Sequence, residues 1–226
     1  MRYRSIKAGR FLDRPNRFIA HVEIDGVVET VHVKNTGRCR ELLIPGVTVY
    51  LERGTNPLRK TAWDLVAVEK GKRLINMDSQ APNKVFAEWV LEGGFLPGVT
   101  SLWPEYLYGD SRLDFALQTE KGLHLVEVKG VTLEADGAVY FPDAPTERGV
   151  KHLRELQKAV EAGIDATAVF VVQMEQVTHM SPNDVTHPEF GQALREAKAA
   201  GVGVKAYSCK VEWDALWIDR EIPVIL

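Results

Sequence analysis

The sequence feature that most constrains the fold is a pair of apolar segments joined by a short turn. The first spans residues 111–117, the second spans residues 123–130, and Glu120-Lys121-Gly122 lies between them. Alternating apolar runs separated by a few residues that include glycine predict a β-hairpin. Glu127 and Lys129 lie two residues apart in the second run, so both side chains point to the same face of an otherwise apolar strand.

Charged side chains on a buried strand need a partner or a metal ion. Asp114, on the first strand of the hairpin, lies within pairing reach of Glu127. Two close carboxylates repel each other, and a divalent cation with oxygen ligands, Mg²⁺ or Mn²⁺, removes the conflict. Such an ion beside Lys129 is the machinery of phosphodiester hydrolysis. The alternative is a structural Glu127–Lys129 ion pair beside an unrelated Asp114.

The composition is that of an ordinary soluble globular protein. The chain has 226 residues, of which 45% are apolar and 26% charged, enough for one large or two small domains. No apolar segment follows the N-terminal charges and no apolar run is long enough to span a bilayer, so we expect neither a signal peptide nor a membrane partner. The two cysteines, Cys39 and Cys209, form no metal-type pair, and a reducing cytoplasm is the expected location.

Charge is distributed unevenly along the chain. Residues 1–60 contain 12 Lys and Arg against 6 Asp and Glu, a balance of +6 in a chain whose net charge is −3. A basic N-terminal third on an acidic body indicates a module that binds a polyanion such as DNA. The alternative is that exposed strand positions here simply favour Lys and Arg.

The N-terminal third has the pattern of a small barrel. Its alternating runs predict strands over residues 16–24, 27–34, 47–52, 63–68 and 73–78. Five short strands favour an OB-like closed β-barrel over residues 1–80. Its candidate nucleic-acid-binding residues are cationic: Arg10, Arg14, Arg17, Lys34, Arg38 and Arg40. Phe11 and Phe18 are interleaved with them and could stack on bases, but Phe18 lies on an alternating strand and is expected in the core.

Helices appear after residue 80, so we place a second domain over residues 81–226. The pattern predicts helices from Pro82 to Gly93-Gly94, over residues 146–163 and over residues 187–200. It also predicts strands over residues 138–141, 167–172 and 201–207, followed by a C-terminal tail that packs as a cap. Helices alternating with buried strands indicate an α/β domain with a mixed sheet.

The helix over residues 146–163 carries a second candidate binding surface. Arg148, Lys151 and His152 lie on one of its faces close to its N-terminus. The free N–H groups and dipole of a helix N-terminus also attract anions, so this face is a natural seat for phosphate. The alternative is a solvated helical face.

Several motifs together resemble one known family, the sugar fermentation stimulation protein A family. They are Gly9-Arg10-Phe11-Leu12, Arg14-Pro15-Asn16-Arg17-Phe18, Asn35-Thr36-Gly37-Arg38-Cys39, Asp114-Phe115, Glu127-Val128-Lys129-Gly130 and Pro142-Asp143-Ala144-Pro145-Thr146-Glu147-Arg148-Gly149-Val150-Lys151-His152-Leu153. The resemblance runs nearly end to end. It implies an OB-type N-terminal domain, a C-terminal domain with the PD-(D/E)xK restriction-endonuclease-like fold, DNA binding, and a regulatory effect on sugar-utilisation genes.

Carried over by position, the nuclease motif falls on Asp114, Glu127 and Lys129, with Leu113 in place of the leading proline. The first hypothesis is therefore a DNA-binding protein of little sequence specificity with a Mg²⁺-dependent nuclease site. Asp114, Glu127 and the Val128 carbonyl would hold the ion, and Lys129 would position the attacking water. The alternative is a regulator that binds DNA without cleaving it. The sequence leaves open whether the chain forms a homodimer.

Overall fold

A computed structural model of the chain describes residues 1–35, 37–56 and 58–226. Thr36, which belongs to the Asn35–Cys39 motif, and Pro57 lie outside these ranges. The first part of the chain is built from strands β1 (Ile6–Asn16), β2 (Ile19–Ile24), β3 (Val27–Val33), β4 (Thr48–Arg53), β5 (Trp63–Lys70) and β6 (Arg73–Asn76).

These strands form the predicted OB-like barrel. Their order is β3-β2-β1-β4-β5-β6, and a parallel pairing of β3 with β5 closes the first five strands on themselves. In β2, buried and half-buried residues alternate, as expected for a strand with one face toward the barrel interior. Asp25-Gly26 makes the turn between β2 and β3, where both residues have positive φ.

The barrel contains the predicted number of strands, but its first strand was not predicted, and the strand predicted over residues 16–24 corresponds to β2. The N-terminal strand is β1, which ends at Asn16, where the pattern had placed the beginning of a strand. Only Phe11 is fully buried in β1, and its pairing with β2 shifts register twice. These irregularities remove the period-2 alternation by which a strand is recognised. The predicted strand over residues 73–78 is β6, which extends the sheet beyond the point of closure.

The second part of the chain is a mixed α/β unit. Its helices are α1 (Ala81–Leu91), α2 (Glu147–Glu161) and α3 (Pro188–Ala199), close to the predicted ranges. Its strands are β7 (Ser101–Tyr108), β8 (Ser111–Thr119), β9 (Gly122–Val131), β10 (Leu133–Ala135), β11 (Ala138–Phe141), β12 (Asp165–Val172), β13 (Met180–Pro182), β14 (Gly203–Glu212) and β15 (Ala215–Ile222). Strands β10, β11 and β13 form a small separate sheet. A domain division near residue 80 stays a prediction.

The main sheet has six strands in the order β15-β14-β12-β9-β8-β7. Strands β9, β12 and β14 are parallel, and the remaining neighbours are antiparallel. Val126 and Val128 of β9 pack with the apolar side of α1, whereas Leu125 belongs to the core that includes α2 and α3. Both faces are therefore covered, and the central strand β9 is buried on both sides.

Two edge strands were not predicted. Strand β7 contains Pro104 and is mostly exposed or half-exposed, so it lacks the alternation of an ordinary strand. The C-terminal tail, expected to pack as a cap, instead forms β15 and pairs antiparallel with β14. Its Trp217 remains partly exposed. Edge strands pair on one side only and commonly carry proline and charged residues, which weakens their sequence signal.

Polar side chains connect the barrel to the second part of the chain. Gln173, at the end of β12, is buried and donates from Nε2 to Asn76 Oδ1 at 2.8 Å and to the Asp78 carbonyl at 3.0 Å. The main-chain carbonyl of Gln173 accepts a hydrogen bond from the backbone N–H of Asn76. Buried polar groups that are hydrogen-bonded in this way favour one arrangement of the elements that carry them.

Among the described residues, no helix is both long and apolar enough to cross a membrane.

A cluster of charged side chains at the same junction contains one carboxylate, Glu134, whose pKa is depressed. Glu134 of β10 accepts hydrogen bonds from Lys70 at 2.6 Å, from Arg73 at 2.9 Å and from the backbone N–H of Gly137 at 2.7 Å. Burial opposes ionisation of Glu134, but these donors outweigh it and lower the pKa to about 2. The ionised carboxylate therefore stabilises the fold.

We predict that Glu134→Gln destabilises the protein in a pH-dependent way. Because the folded-state pKa is depressed, the wild type's advantage is complete above the ordinary value of 4.5 and is lost as the pH falls toward about 2. At pH 7 the melting temperature should drop by about 3 °C or more. Melting curves between pH 3 and pH 7 measure this, with the exposed Glu212→Gln as control. A wild-type advantage that stays constant across this range would contradict the assignment.

Candidate active site

The Glu127 carboxylate is the most buried charged group of the hairpin, with 1% of the residue exposed. Its Oε1 accepts hydrogen bonds from Lys129 Nζ and from His152 Nδ1. The contact with Lys129 agrees with the predicted shared face of β9. Its Oε2 is buried and has no hydrogen-bond partner within the described ranges.

Asp114 lies next to Glu127 across the hairpin. The β8–β9 pairing runs from Thr119–Gly122 to Phe115–Val126, and Asp114 and Glu127 follow directly beyond its end. Asp114 Oδ2 accepts the backbone N–H of Val128 at 2.8 Å. The structure therefore brings together the two carboxylates and the lysine that the sequence singled out.

Asn83 is a contributor that sequence reasoning missed. It lies in the first turn of α1 and donates from Nδ2 to Asp114 Oδ1 at 2.8 Å. With Val128 N–H on the other oxygen, Asp114 has a donor on each side and a fixed orientation. No feature of the local pattern distinguishes Asn83 from other polar residues at a helix start, because its partner is 31 residues away in sequence.

The two carboxylates have pKa values shifted in opposite directions. Burial and the charge of Glu127 raise the pKa of Asp114 above its usual value. Burial also opposes ionisation of Glu127, but the hydrogen bonds from His152 and Lys129 outweigh it and lower the pKa of Glu127. The site thus holds one firmly ionised carboxylate beside one whose charge is unfavourable without a further cation.

The residues present fit a hard divalent cation. In the part of the chain that the structure describes, Glu127 Oε2 is a buried acceptor without a partner, and burial and the charge of Glu127 oppose ionisation of the neighbouring Asp114. No group of three or more His, Cys, Asp and Glu side chains forms a metal site among the described residues. A cation here would therefore depend on two carboxylates, a backbone carbonyl such as that of Val128, and water, which suits Mg²⁺ better than zinc.

The three residues predicted to form a phosphate-binding face on α2 lie in different surroundings: two are exposed and one is buried. Lys151 is exposed, and its Nζ donates to the Asp110 carbonyl at 2.7 Å. Arg148 is exposed in the first turn. His152, predicted to contact DNA, is 4% exposed and faces Glu127. Its burial removes it from any surface that DNA could touch, and places it beside the carboxylates instead.

Four of the predicted arginines line one cleft of about 460 Å³ on the barrel: Arg14, Arg17, Arg38 and Arg40. Ala144, from the loop that precedes α2, forms part of the same cleft. In that loop, the Asp143 carboxylate lies against Gly37 of the barrel. A Cβ atom at Gly37 would lie 2.1 Å from Asp143 Oδ2, so this close approach requires glycine.

Three cationic candidates of the barrel, Lys34, Arg10 and Arg14, have partners within the protein. Lys34 Nζ lies 2.6 Å from the buried Asp78 carboxylate. Arg10 pairs with Glu23 on the barrel surface. Arg14 donates to the backbone carbonyls of Arg17, Asn35, Gly37 and Arg38, so it shapes the cleft that it lines.

The two phenylalanines differ from what the pattern indicated. Phe11 is in the barrel core, whereas Phe18, expected in the core, is 49% exposed. Phe18 belongs to the turn between β1 and β2, where Asn16 Oδ1 accepts its backbone N–H. The expectation was wrong because the strand begins at Ile19, after the aromatic residue. Arg17 lies beside the Phe18 ring, 5.6 Å from its centroid.

Comparison with known proteins agrees with this architecture. Residues 12–77 match the family model for the SfsA N-terminal OB domain, and residues 80–215 match that for the sugar fermentation stimulation protein RE domain. The chain belongs to the sugar fermentation stimulation protein family. Membership confirms the family resemblance and the predicted fold class, an OB barrel followed by a mixed-sheet domain.

Relatives in the sugar fermentation stimulation protein family align over the full chain. The homologue from Clostridium beijerinckii is 54% identical, and that from Ruminiclostridium cellulolyticum is 51% identical, each over 100% of both chains. The solved structure of Pyrococcus furiosus SfsA in complex with Ca²⁺ superposes with a TM-score of 0.91 at 28% identity, covering 100% of this chain and 98% of that one. Similarity therefore extends to both parts of the fold.

We predict that Mn²⁺ stabilises the wild type and that this stabilisation is at most about half as large in Asp114→Asn. At a hundredfold excess over the dissociation constant the gain is about 2.7 kcal/mol, or about 5–10 °C in melting temperature for a chain of this size. In the variant, calorimetric Mn²⁺ affinity should fall about tenfold or more because one charged ligand is lost. The exposed Asp219→Ala is the control. Equal Mn²⁺ affinity in Asp114→Asn and wild type would place any metal elsewhere.

Proposed function

We propose that this chain is a Mg²⁺- or Mn²⁺-dependent DNA phosphodiesterase. The observation that carries the proposal is the buried, unpartnered Oε2 of Glu127 in the described structure, beside Asp114 and Lys129. An unpaired buried carboxylate oxygen costs free energy unless something binds it. The related Pyrococcus furiosus SfsA was solved with Ca²⁺, a hard cation of the same ligand preference.

Each residue of the site has a distinct role in this proposal. Asp114, Glu127 and the Val128 carbonyl would hold the ion, which supplies charge neutralisation for the phosphoryl group and acidifies water. Asn83 and the Val128 N–H hold Asp114 in position. Lys129, whose ammonium already lies at the carboxylate, would orient the attacking water and stabilise charge that develops on the phosphate.

DNA is the proposed polyanion because cationic groups lie on both parts of the fold. The barrel cleft is lined by four arginines, and Ala144 extends it to the loop that begins α2. Arg148 and Lys151 are exposed on the first turns of that helix. Cationic side chains bind the phosphate backbone whatever the base sequence, so we propose binding with little sequence specificity.

Lys129→Met should abolish cleavage while DNA binding persists. We expect nicking of supercoiled DNA in Mg²⁺ or Mn²⁺ to fall about 100-fold or more, because the lysine acts on charge that develops in the transition state. DNA affinity measured in Ca²⁺ should change less than about threefold, because the arginines of the cleft remain. Lys121→Met, an exposed lysine in the β8–β9 turn, is the matched control.

The outcomes separate two functions. Cleavage that disappears in Lys129→Met and persists in Lys121→Met would support the phosphodiesterase. Undiminished cleavage in Lys129→Met would rule out this site. Salt-sensitive DNA binding with no cleavage in either metal would instead favour a regulator that uses the same surfaces only to bind.

A further inference from the structure

His152 is held between the Glu127 carboxylate and an exposed arginine. Its Nδ1 contacts Glu127 Oε1, and its Nε2 lies 3.2 Å from Arg148 Nε. Arginine can only donate a hydrogen bond, so His152 Nε2 must accept one. The proton of the imidazole is therefore on Nδ1, and His152 donates it to Glu127.

This donation determines which oxygen of Glu127 is free. Oε1 is occupied by two donors, His152 and Lys129, while Oε2 has no partner within the described ranges. Rotation of the carboxylate plane away from this orientation would break both hydrogen bonds. His152 therefore contributes to holding Oε2 toward the position where a cation would bind.

Arg148 has more hydrogen-bond donors than its contact with His152 uses. It is exposed in the first turn of α2, and among the described residues it uses its Nε for His152 while its two terminal nitrogens make no hydrogen bond or ion pair. Those two nitrogens form the fork that suits a phosphate group. One guanidinium can thus contact a DNA phosphate on its outer side and His152 on its inner side.

We infer that Arg148, His152 and Glu127 form a hydrogen-bonded chain through which a phosphate bound at Arg148 orients the metal-binding carboxylate. This inference rests on the proposed function. His152 is a positioning residue in the chain, because it is buried and acts through Glu127. Groups that orient a metal ligand in this way typically change metal affinity by about 10- to 100-fold when they are removed.

Phosphate binding at Arg148 should increase the metal affinity because hydrogen bonds connect Arg148 to His152 and His152 to Glu127. A phosphate on the terminal nitrogens fixes the plane of the guanidinium, and with it the direction of the Nε–H bond to His152. Coupling between two sites is reciprocal, so DNA should tighten metal binding by the same factor as metal tightens DNA binding. Lysine at position 148 keeps the charge but has no second donor in a fixed plane.

The first test compares three substitutions of His152 by calorimetric titration with Mn²⁺ alone. In His152→Asn the amide nitrogen stands near the position of Nδ1, so the donor to Glu127 is kept and affinity should stay within about threefold of wild type. His152→Gln puts its amide near Nε2 and loses that donor, as does His152→Ala. Both should bind Mn²⁺ about 10- to 100-fold more weakly.

Near-ultraviolet circular dichroism and melting curves without metal identify any variant that fails to fold. If His152→Ala is unfolded, the comparison of the Asn and Gln variants still decides the question. Equal Mn²⁺ affinity in these two variants would overturn the positioning role. Absence of Mn²⁺ binding by the wild type would instead overturn the proposed function, so the two failures are distinguishable.

The second test measures the coupling. Ca²⁺ affinity is determined with and without a short blunt DNA duplex for wild type, Arg148→Lys and the control Arg154→Lys, an exposed arginine on the same helix. We expect the duplex to tighten Ca²⁺ binding about fivefold or more in wild type and in Arg154→Lys, and clearly less in Arg148→Lys. Direct contact between phosphate and metal would act in all three proteins. If the duplex tightens Ca²⁺ binding by the same factor in Arg148→Lys as in wild type, the proposed coupling through Arg148 and His152 is wrong.

Discussion

The site depends on the unequal hydrogen bonding of one buried carboxylate. Glu127 lies on the central strand of the main sheet, where water cannot solvate its charge. Two donors stabilise Oε1, and Oε2 is left without one in the described structure. The two donors thereby stabilise the charge on the buried strand, and one carboxylate oxygen remains available to bind a cation. An apolar residue at this position would pack more easily but could not bind a cation.

The donors to the two carboxylates come from three elements, β9, α1 and α2. Lys129 comes from the same strand, His152 from α2, and the donors to Asp114 come from β9 and from Asn83 of α1. Helices on both faces of the sheet thus converge on the end of one hairpin. A small shift of either helix would disturb the carboxylates, because Asn83 and His152 contact them directly.

The hairpin and its acidic pair could be predicted because the information is local. Period-2 alternation placed Glu127 and Lys129 on one face, and a short turn brought Asp114 opposite them. The helices were also predictable from their apolar spacing. Edge strands β7 and β15 were not, because a strand paired on one side carries little alternation.

Residue roles that depend on distant partners could not be read from the sequence. His152 looked like one more polar residue on a basic helical face, and only packing against β9 shows that it points inward. Asn83 had no signal at all. Phe18 was wrongly predicted to lie in the core because the irregular pairing of β1 with β2 made the turn between them unrecognisable from the sequence. Local patterns thus located the chemistry, whereas tertiary contacts determined which neighbours support it.

The loop before α2 connects the arginine cleft to the carboxylates and therefore limits the distance between them. It contacts the barrel through Asp143 and Gly37, contributes Ala144 to the arginine cleft, and then begins the helix that holds Glu127. Eight positions along the chain thus separate Ala144 in the cleft from His152 at Glu127. Under the proposed function, the length of this segment would limit the distance between the part of the nucleic acid held in the cleft and the phosphate at the carboxylates.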